Sequence, residues 1–246
     1  MKIEVWSDFV CPFCYIGKRR LELALSQFPH KESVEIEFKS FELDPYSPKY
    51  SGKSIHEALA EKYRMSIEQA KEANENIGRQ AASVGLTFNF ETMKPTNTFD
   101  AHRLAKLAKE KGKEKEVTEK LLFGYFTQSV NLGDHKVLAD IAESAGMNRE
   151  EVIATLEDEI AYANDVRIDE SIAQQYQITG VPFFIINQKY AISGAQPTET
   201  FANALQKVWE EENPKPIFED LSGAGAEGTI CDADGNCVIP NQKEQE

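Results

Sequence analysis

The spacing of hydrophobic residues predicts a strand, a helix and a second strand in the first forty residues. Stretches 3–6 and 34–38 alternate polar and apolar residues and are rich in β-formers, a pattern typical of strands. Between them, from Tyr15 to Phe28, apolar residues recur at helical spacing and charged residues face outward. This order is a βαβ unit, so we expect its two strands to be parallel.

The next part of the chain, from Ser54 to about Gln175, has an almost wholly helical pattern. Capping-box spacing at Ser54, Ser66 and Asn148 marks helix starts, because Ser or Asn is followed three residues later by Glu or Gln. The other helices that the pattern predicts cover 98–111, 114–129, a stretch after Asp134, and 158–175.

Strand patterns return at 182–186 and 189–192, with Asn187-Gln188 between them as a two-residue hairpin turn, and a helix follows over 198–211. Without the helical block, the order is βαβαββα, that of thioredoxin. The sequence therefore predicts an α/β, thioredoxin-like fold with a large inserted all-helical domain. The predicted domains are 1–50 with 156–212 (thioredoxin-like), 51–155 (helical) and 213–246 (C-terminal extension).

The most informative motif is Cys11-Pro12-Phe13-Cys14, at the junction between the first strand and the first helix. Free N–H groups and the positive dipole end of a helix stabilise a thiolate there. Pro12 suits the first helical position, where its missing N–H costs nothing. We expect Cys11 to be the exposed nucleophile and Cys14 to resolve the mixed disulfide.

Two other interpretations of this cysteine pair are half of a zinc site and an inert disulfide. Zinc ribbons place such pairs on turns with a second pair nearby, whereas here a strand leads directly into a helix. An inert disulfide has no evident purpose between residues of one helical turn. The context therefore favours dithiol chemistry, and we expect no bound metal.

Charge and composition exclude some function classes. The 246 residues include 41 acidic and 27 basic ones, a net charge of −14 that gives nucleic-acid binding little electrostatic support. No apolar run approaches the roughly 18 residues of a membrane helix, and the first residues lack the apolar region of a secretory signal. We therefore expect a cytoplasmic protein with neither nucleic-acid nor membrane partners.

Four segments together resemble the DsbA-like thiol–disulfide oxidoreductases, in their cytosolic FrnE-type branch. They are Trp6-Ser7-Asp8-Phe9-Val10-Cys11-Pro12-Phe13-Cys14-Tyr15, Asn97-Thr98-Phe99-Asp100-Ala101-His102-Arg103, Thr179-Gly180-Val181-Pro182-Phe183-Phe184 and Ser193-Gly194-Ala195-Gln196-Pro197. The resemblance covers the chain to about residue 211. It implies a thioredoxin fold with an inserted helical domain, in agreement with the order derived above.

The resemblance also implies roles for single residues. Pro182 matches the cis proline that faces the cysteine pair, and Val181 would then present its backbone to a substrate peptide. DsbA itself has His where Phe13 stands, so we expect a less oxidising couple here. Thioredoxins carry a buried carboxylate at the place of Val5, and the nearby Asp8 is expected to cap or order its loop.

A sister family, the 2-hydroxychromene-2-carboxylate isomerases and kappa-class glutathione transferases, shares this architecture and uses glutathione without redox chemistry. Its members typically have Ser in place of Cys11, so the cysteine pair favours redox chemistry. By this similarity Asp8, Asn97, His102 and Arg103 are candidates for a substrate or glutathione pocket. The alternative is a plain helix start with His102 packed or solvated. We expect no resident cofactor, with glutathione as a candidate co-substrate.

A second cysteine pair, Cys231 and Cys237, flanks the turn signal Asp234-Gly235 near the C-terminus, which predicts a small β-hairpin. Three interpretations stay open: a second redox pair that relays electrons to Cys11, a zinc site, and a local disulfide staple. FrnE-type proteins carry a similar pair, which favours relay or regulation. The acidic run lacks the later ligands of an EF-hand, so calcium is not expected.

Three functions therefore compete. The leading one is a thiol–disulfide oxidoreductase of the protein disulfide reductase or isomerase type, acting on protein or small-molecule thiols and disulfides. The second is a glutathione-dependent isomerase or transferase, and the third is a zinc-stabilised binding protein. The exposed faces of the helical insertion also offer an interface for a homodimer.

Overall fold

A computed structural model describes residues 1–214 and positions 230, 231, 234, 237 and 238. The elements of 1–214 follow the predicted order. The strands are β1 (Lys2–Ser7), β2 (Glu35–Ser40), β3 (Phe183–Ile186) and β4 (Tyr190–Ser193). The helices are α1 (Pro12–Ser26), α2 (Ile55–Tyr63), α3 (Ile67–Ala82), α4 (Phe99–Glu110), α5 (Glu114–Phe126), α6 (His135–Ser144), α7 (Arg149–Glu157), α8 (Ala163–Gln175) and α9 (Thr198–Glu212).

The four strands form one sheet in the order β2-β1-β3-β4. β1 and β2 are parallel, which confirms the predicted βαβ unit, and β3 runs antiparallel to both β1 and β4. The hairpin between β3 and β4 is also confirmed. Its turn residues Asn187 and Gln188 both have positive φ angles, 50° and 53°, as a two-residue turn between twisted strands requires.

Both faces of β1 are covered. Ile3 and Val5 pack in a cluster with side chains of α1 and α9. On the opposite face Trp6 packs against Ala173 of α8, and its indole N–H donates to the Asp169 carbonyl oxygen at 3.1 Å. β1 is therefore a central strand that is covered on both faces, although its sequence alternates between apolar and polar residues.

Helix α1 lies between two hydrophobic clusters. Its Tyr15 and Ile16 belong to a large cluster with residues of α3 to α7, whereas its Leu21 and Ala24 belong to the cluster on the sheet. The helix that begins at the cysteine pair is thus fixed on two sides. This packing gives the first turn of α1 a defined position relative to both the sheet and the helices.

The predicted helix over 158–175 is confirmed as α8 but begins later than predicted, because α7 ends at Glu157 and α8 begins at Ala163. Tyr162 between them has a φ of 57°, in the left-handed region, which interrupts the helix. The buried Arg103 holds this connection in place by donating to the carbonyl oxygens of Thr155, in the last turn of α7, and of Ala161, at 2.7 and 2.8 Å. The predicted capping boxes at Ser54 and Ser66 are confirmed.

The chain forms two compact units, Met1–Trp209 and Glu210–Glu246. The first contains the four-stranded sheet and α1 to α8. In the second, β5 (Ile230–Cys231) pairs antiparallel with β6 (Cys237–Val238), as the predicted hairpin requires. The predicted domain boundaries stay a prediction. Among the described residues, none of the helices combines the length and apolar character needed to cross a bilayer.

Candidate active site

The motif from Cys11 to Cys14 lies where β1 leads into α1. Cys11 precedes the first helical residue in an extended conformation, with φ −88° and ψ 112°, and Pro12 takes the first helical position. The Cys11 N–H donates to the Asp8 carbonyl oxygen at 3.2 Å, which closes the loop before the helix. Both cysteines carry free thiols. The unpaired N–H groups of this first turn favour negative charge on a nearby sulfur.

A second loop covers Cys11 from the side of the sheet. The Val181–Pro182 peptide bond is cis, as the resemblance implied. The Cys11 Sγ donates to the Val181 carbonyl oxygen at 3.6 Å. Cys11 is only 4% exposed, so the expectation of an exposed sulfur is wrong. The sulfur is covered because it contacts the Val181 carbonyl of the second loop.

Cys14 is buried one turn further into α1. Its sulfur accepts a hydrogen bond from the Asp8 N–H at 3.4 Å and also interacts with the Ser7 hydroxyl and the Cys11 thiol. Burial raises the pKa of the Cys14 thiol well above its ordinary value, and the hydrogen bond with Cys11 raises it further. Cys14 therefore holds its proton near neutral pH in this reduced state.

Asp8 connects the cysteine loop to two other parts of the fold. Its backbone contacts both Cys11 and Cys14, as described above. Its buried carboxylate accepts from the Leu43 N–H at 2.8 Å, through Oδ2. The other oxygen, Oδ1, lies 3.4 Å from Nε2 of His102 on α4. Asp8 is 1% exposed and His102 is 3% exposed, so this pair lies in the interior.

Asn97 stands just before α4 and ties two loops together. Its side-chain oxygen accepts from the Phe99 N–H at 2.9 Å, and its amide nitrogen donates to the Ser47 carbonyl oxygen at 3.2 Å. The nearby His102 is packed against Phe9, with ring centroids 4.8 Å apart. A place for these residues in a substrate or glutathione pocket stays a prediction.

Arg103 is 2% exposed and donates to neighbours within the fold. Its Nη1 donates to the Asp100 carboxylate at 2.8 Å, and its other donors reach carbonyl oxygens of the α7–α8 connection. The guanidinium thus holds α4 against that connection. Its predicted place in a substrate pocket stays a prediction.

Phe13 is the exposed member of the motif, with 37% of its surface accessible. It lies between the two cysteines in sequence and presents an apolar side chain at the start of α1. Pro12 is partly buried. Phe13 therefore contributes an apolar accessible surface next to the two buried thiols.

Sequence reasoning missed two residues that shape the site. Gly17 of α1 approaches the cis-proline loop so closely that a β-carbon on it would lie 3.1 Å from Pro182 Cγ and 3.2 Å from Phe184 Cζ. A glycine inside a helix costs about 1 kcal/mol relative to Ala, so its presence there was the available signal. Ser7, which interacts with the Cys14 sulfur, lies in the first segment of the family resemblance but was given no role there.

No cluster of three or more His, Cys, Asp or Glu side chains among the described residues is arranged to hold a metal ion. For the second cysteine pair, the structure describes only the backbone. Cys231 and Cys237 lie directly opposite each other in the β5–β6 register. Paired strand positions have Cα separations that a disulfide can bridge. The state of these two sulfurs lies outside the described residues.

Comparison with known proteins identifies the family. The family model of the DSBA-like thioredoxin domain matches residues 2–206, which is most of the chain. The chain belongs to this family. A solved DsbA-like structure, a probable DsbA oxidoreductase from Streptomyces coelicolor, is 41% identical, with a TM-score of 0.83 over 98% of this chain and 100% of that one.

Two further relatives widen the comparison. The uncharacterized protein YwbO of Bacillus subtilis is 28% identical over 204 residues, which span 82% of this DsbA-like chain and 94% of YwbO. A 2-hydroxychromene-2-carboxylate isomerase has a TM-score of 0.66 over 86% of this chain and 98% of its own, at 15% identity. At that identity the likeness concerns the fold alone.

Proposed function

We propose that this DsbA-like protein is a thiol–disulfide oxidoreductase of the protein disulfide reductase or isomerase type, with Cys11 as nucleophile and Cys14 as resolving thiol. The observation that carries the proposal is the arrangement of two free thiols at the start of α1, with the Cys11 sulfur donating to the Val181 carbonyl oxygen at 3.6 Å. The two sulfurs have different environments, which suits two successive steps.

In the first step, the Cys11 thiolate attacks one sulfur of a substrate disulfide. A mixed disulfide forms between Cys11 and the substrate, and the other substrate sulfur leaves as a thiolate. In the second step, the Cys14 thiolate attacks the Cys11 sulfur, so that a Cys11–Cys14 disulfide forms and the substrate leaves with both sulfurs reduced. Isomerase activity uses the same first step, followed by attack of another substrate thiol.

Val181 gives the proposal a place for a peptide substrate. Its side chain is partly exposed, and its N–H makes no hydrogen bond to the described part of the chain. An extended peptide could pair with this backbone as an added strand, which would bring its disulfide close to Cys11. Phe13, the exposed residue of the cysteine motif, would offer this peptide an apolar contact.

The second candidate, a glutathione-dependent isomerase, rests on likeness of fold. The presence of Cys14 favours redox chemistry, because an enzyme that only activates glutathione has no use for a resolving thiol. We propose protein and small-molecule disulfides as substrates, with glutathione as a co-substrate and no resident cofactor. The same proposal includes four further points. They are membership of the FrnE-type branch, a cytoplasmic location, a homodimer through the helical insertion, and a relay of electrons through Cys231 and Cys237.

Substitution of each cysteine tests the two roles. Cys14→Ser should trap a disulfide between Cys11 and the substrate, because nothing resolves it, and Cys11→Ser should form no mixed disulfide at this motif. Mass spectrometry after incubation with an oxidised peptide measures both, in a Cys231→Ser/Cys237→Ser background as control. A mixed disulfide trapped on Cys14 in place of Cys11 would show that Cys14 is the nucleophile and Cys11 the resolving thiol. Isomerase turnover that survives in Cys14→Ser without trapping would favour the second candidate.

A further inference from the structure

A small cavity lies between the sheet and the helices α4 and α5. It is lined by Ser7 of β1, His102 of α4 and Thr118 of α5, among other residues. Ser7 directly precedes Asp8, whose N–H donates to the Cys14 sulfur at 3.4 Å, and the Ser7 hydroxyl interacts with that sulfur. The residues around this cavity therefore include a neighbour of the resolving thiol and a buried histidine.

Three polar atoms in this region are buried without a hydrogen-bond partner within the described part of the chain. They are Oγ1 of Thr118, Nε2 of His102 and Oδ1 of Asp8, and the three residues are 1%, 3% and 1% exposed. Buried polar atoms in proteins are nearly always hydrogen bonded. Most of the cavity wall is apolar, but these polar atoms suit a bridging water, which needs two to four polar partners. Ser7, Thr118 and His102 can provide three.

We propose that His102, which lies beside Asp8, accepts the proton that Cys14 loses when it attacks the mixed disulfide, by way of the Ser7 hydroxyl and a water in this cavity. The inference rests on the function proposed above and adds a positioning residue to it. It gives the helical segment a part in the redox step, because His102 comes from α4 whereas both cysteines come from α1.

The atoms and charges of the step balance without a further reagent. The Cys14 sulfur loses its proton and forms a bond to the Cys11 sulfur, and the bond between Cys11 and the substrate breaks. The substrate leaves as a thiolate and takes a proton from solvent. The Cys14 proton makes His102 an imidazolium next to the Asp8 carboxylate, and it passes to solvent later. The reverse step returns a proton to Cys14 as the disulfide is reduced.

The surroundings of the thiol explain why an acceptor is needed. Burial raises the pKa of the Cys14 thiol well above its ordinary value, so direct loss of the proton to water is slow near neutral pH. An imidazole can take up a proton in that range. The carboxylate oxygen of Asp8, 3.4 Å from Nε2, would stabilise the charge that forms.

Other charged groups face this histidine from the neighbouring elements. Glu42, which follows β2, interacts electrostatically with His102. It is also paired with Arg167 of α8, with 2.6 Å between Arg167 Nη1 and Glu42 Oε2. Burial raises the pKa of Glu42 and of Glu114 on α5, so both carboxyl groups take up protons more readily than usual. Burial also raises the pKa of Tyr125, close to Asp8.

Two lysines also line the cavity, and both are neutralised. Lys39 lies 2.8 Å from Glu37, and Lys106 is bound to Asp169. Asp8 is therefore the carboxylate closest to the His102 ring, with 3.4 Å between Oδ1 and Nε2.

The test separates the two sulfur steps with the aromatic disulfide dithiobis(nitrobenzoate), added in equimolar amount to the reduced protein. Attack by Cys11 releases one thionitrobenzoate, and attack by Cys14 on the mixed disulfide releases the second. Both are followed by absorbance after rapid mixing, over a range of pH, in the full-length Cys231→Ser/Cys237→Ser protein. The variants are His102→Gln and Thr118→Val. The control is His56→Gln, which changes another buried histidine, on α2, whose Nε2 has no hydrogen bond and lies 3.4 Å from a carboxylate oxygen of Glu91.

We expect His102→Gln to slow the second release by about ten- to a hundredfold near neutral pH, within the usual range of acid–base catalysis, and to leave the first release unchanged. The deficit should disappear at alkaline pH, where hydroxide removes the proton. Thr118→Val should slow the same step less, and His56→Gln should have no effect.

A second release in both His102→Gln and Thr118→Val that matches the parent protein at every pH would overturn the proposal. So would an equal slowing by His56→Gln, since that would indicate a general effect of buried histidine substitution. Thr118→Val also tests the proposal if His102→Gln fails to fold. If the parent protein itself released no second thionitrobenzoate, the proposed function would fail first, and this inference with it.

Discussion

The two sulfurs of the motif differ because of the groups that surround each one. Cys11 faces the Val181 carbonyl, whereas Cys14 is surrounded by Ser7 and the Asp8 backbone. The proton on Cys14 is therefore a feature of its environment and not of the motif alone. At this scale the chemistry follows from single contacts, so single substitutions should change it.

The first residue-scale prediction concerns Phe13. Phe13→His should raise the reduction potential, because an imidazolium near the Cys11 thiolate stabilises the reduced protein. A rise of about 30 mV, which corresponds to about 1.4 kcal/mol for a two-electron couple, is readily measured. Phe13 is partly exposed, so the substitution disturbs little packing. Redox titration against glutathione checks it, with Phe13→Ala as control. A potential equal to that of Phe13→Ala, or a more negative one, would contradict it.

The residue-scale contacts were only partly predictable. The sequence indicated the cysteine pair, because Cys-x-x-Cys at a strand-to-helix junction has few uses. The resemblance indicated Pro182, and the structure shows the cis bond. The proximity of His102 to Asp8 was not predictable from spacing, since 94 positions separate them and only the packing of α4 brings them together.

At the scale of elements, the site depends on how α1 packs against the cis-proline loop. Gly17→Ala should destabilise the fold by about 1–2 kcal/mol, because the added methyl group would crowd Pro182 and Phe184 by more than the helix gains from Ala. Gly78→Ala in α3 is the matched control, with its nearest neighbour 3.6 Å from the added carbon, and should be neutral or stabilising. Urea denaturation measures both. Equal stability changes in the two variants would show that the α1 contact is not tight.

Most element boundaries followed from hydrophobic spacing and caps. The exception at 158–175 has a physical cause, because Arg103 binds carbonyl oxygens of the α7–α8 connection and Tyr162 adopts a left-handed conformation there. Neither feature leaves a trace in the local pattern, which predicts that the second helix begins at 158 and not at Ala163. The element type was thus predictable, whereas the start of α8 depends on contacts with a residue more than fifty positions away.

At the scale of the whole molecule, a buried charge cluster joins the sheet to the helices. Burial alone would raise the pKa of Glu37, but hydrogen bonds from Lys109, Lys2 and Lys39 outweigh it and hold that pKa well below its usual range. A lowered pKa in the folded state means that this stabilisation is present above the unfolded value and is lost as the pH falls. The acidic range, below a Glu pKa of about 4.3, is therefore where it should disappear.

Glu37→Gln tests this contribution. The variant should be less stable than the parent protein by about 1–3 kcal/mol at neutral pH, because three lysines lose a charged partner. The difference should shrink as the pH falls below about 4. Urea denaturation at a series of pH values measures it, with Glu35→Gln, an exposed site on the same strand, as control. A difference that stays constant with pH would contradict the assignment.

The overall architecture was the most predictable level. The βαβ unit, the helical block and the closing ββα unit each left a pattern in the sequence, and the observed sheet order agrees with them. The buried charge cluster was not predictable, because Glu4 and Glu37 read as the solvent side of alternating strands. They are buried because α4, α5 and α8 cover that face of the sheet.

The central claim is that Cys11 and Cys14 exchange electrons as a pair. The most direct test equilibrates the Cys231→Ser/Cys237→Ser protein with glutathione buffers of graded ratio, followed by acid quenching, alkylation and mass spectrometry. The account predicts a reversible Cys11–Cys14 disulfide that forms at one defined potential and is absent from Cys11→Ser and Cys14→Ser. The account would be contradicted if both thiols stayed alkylatable across the whole range of cellular potentials.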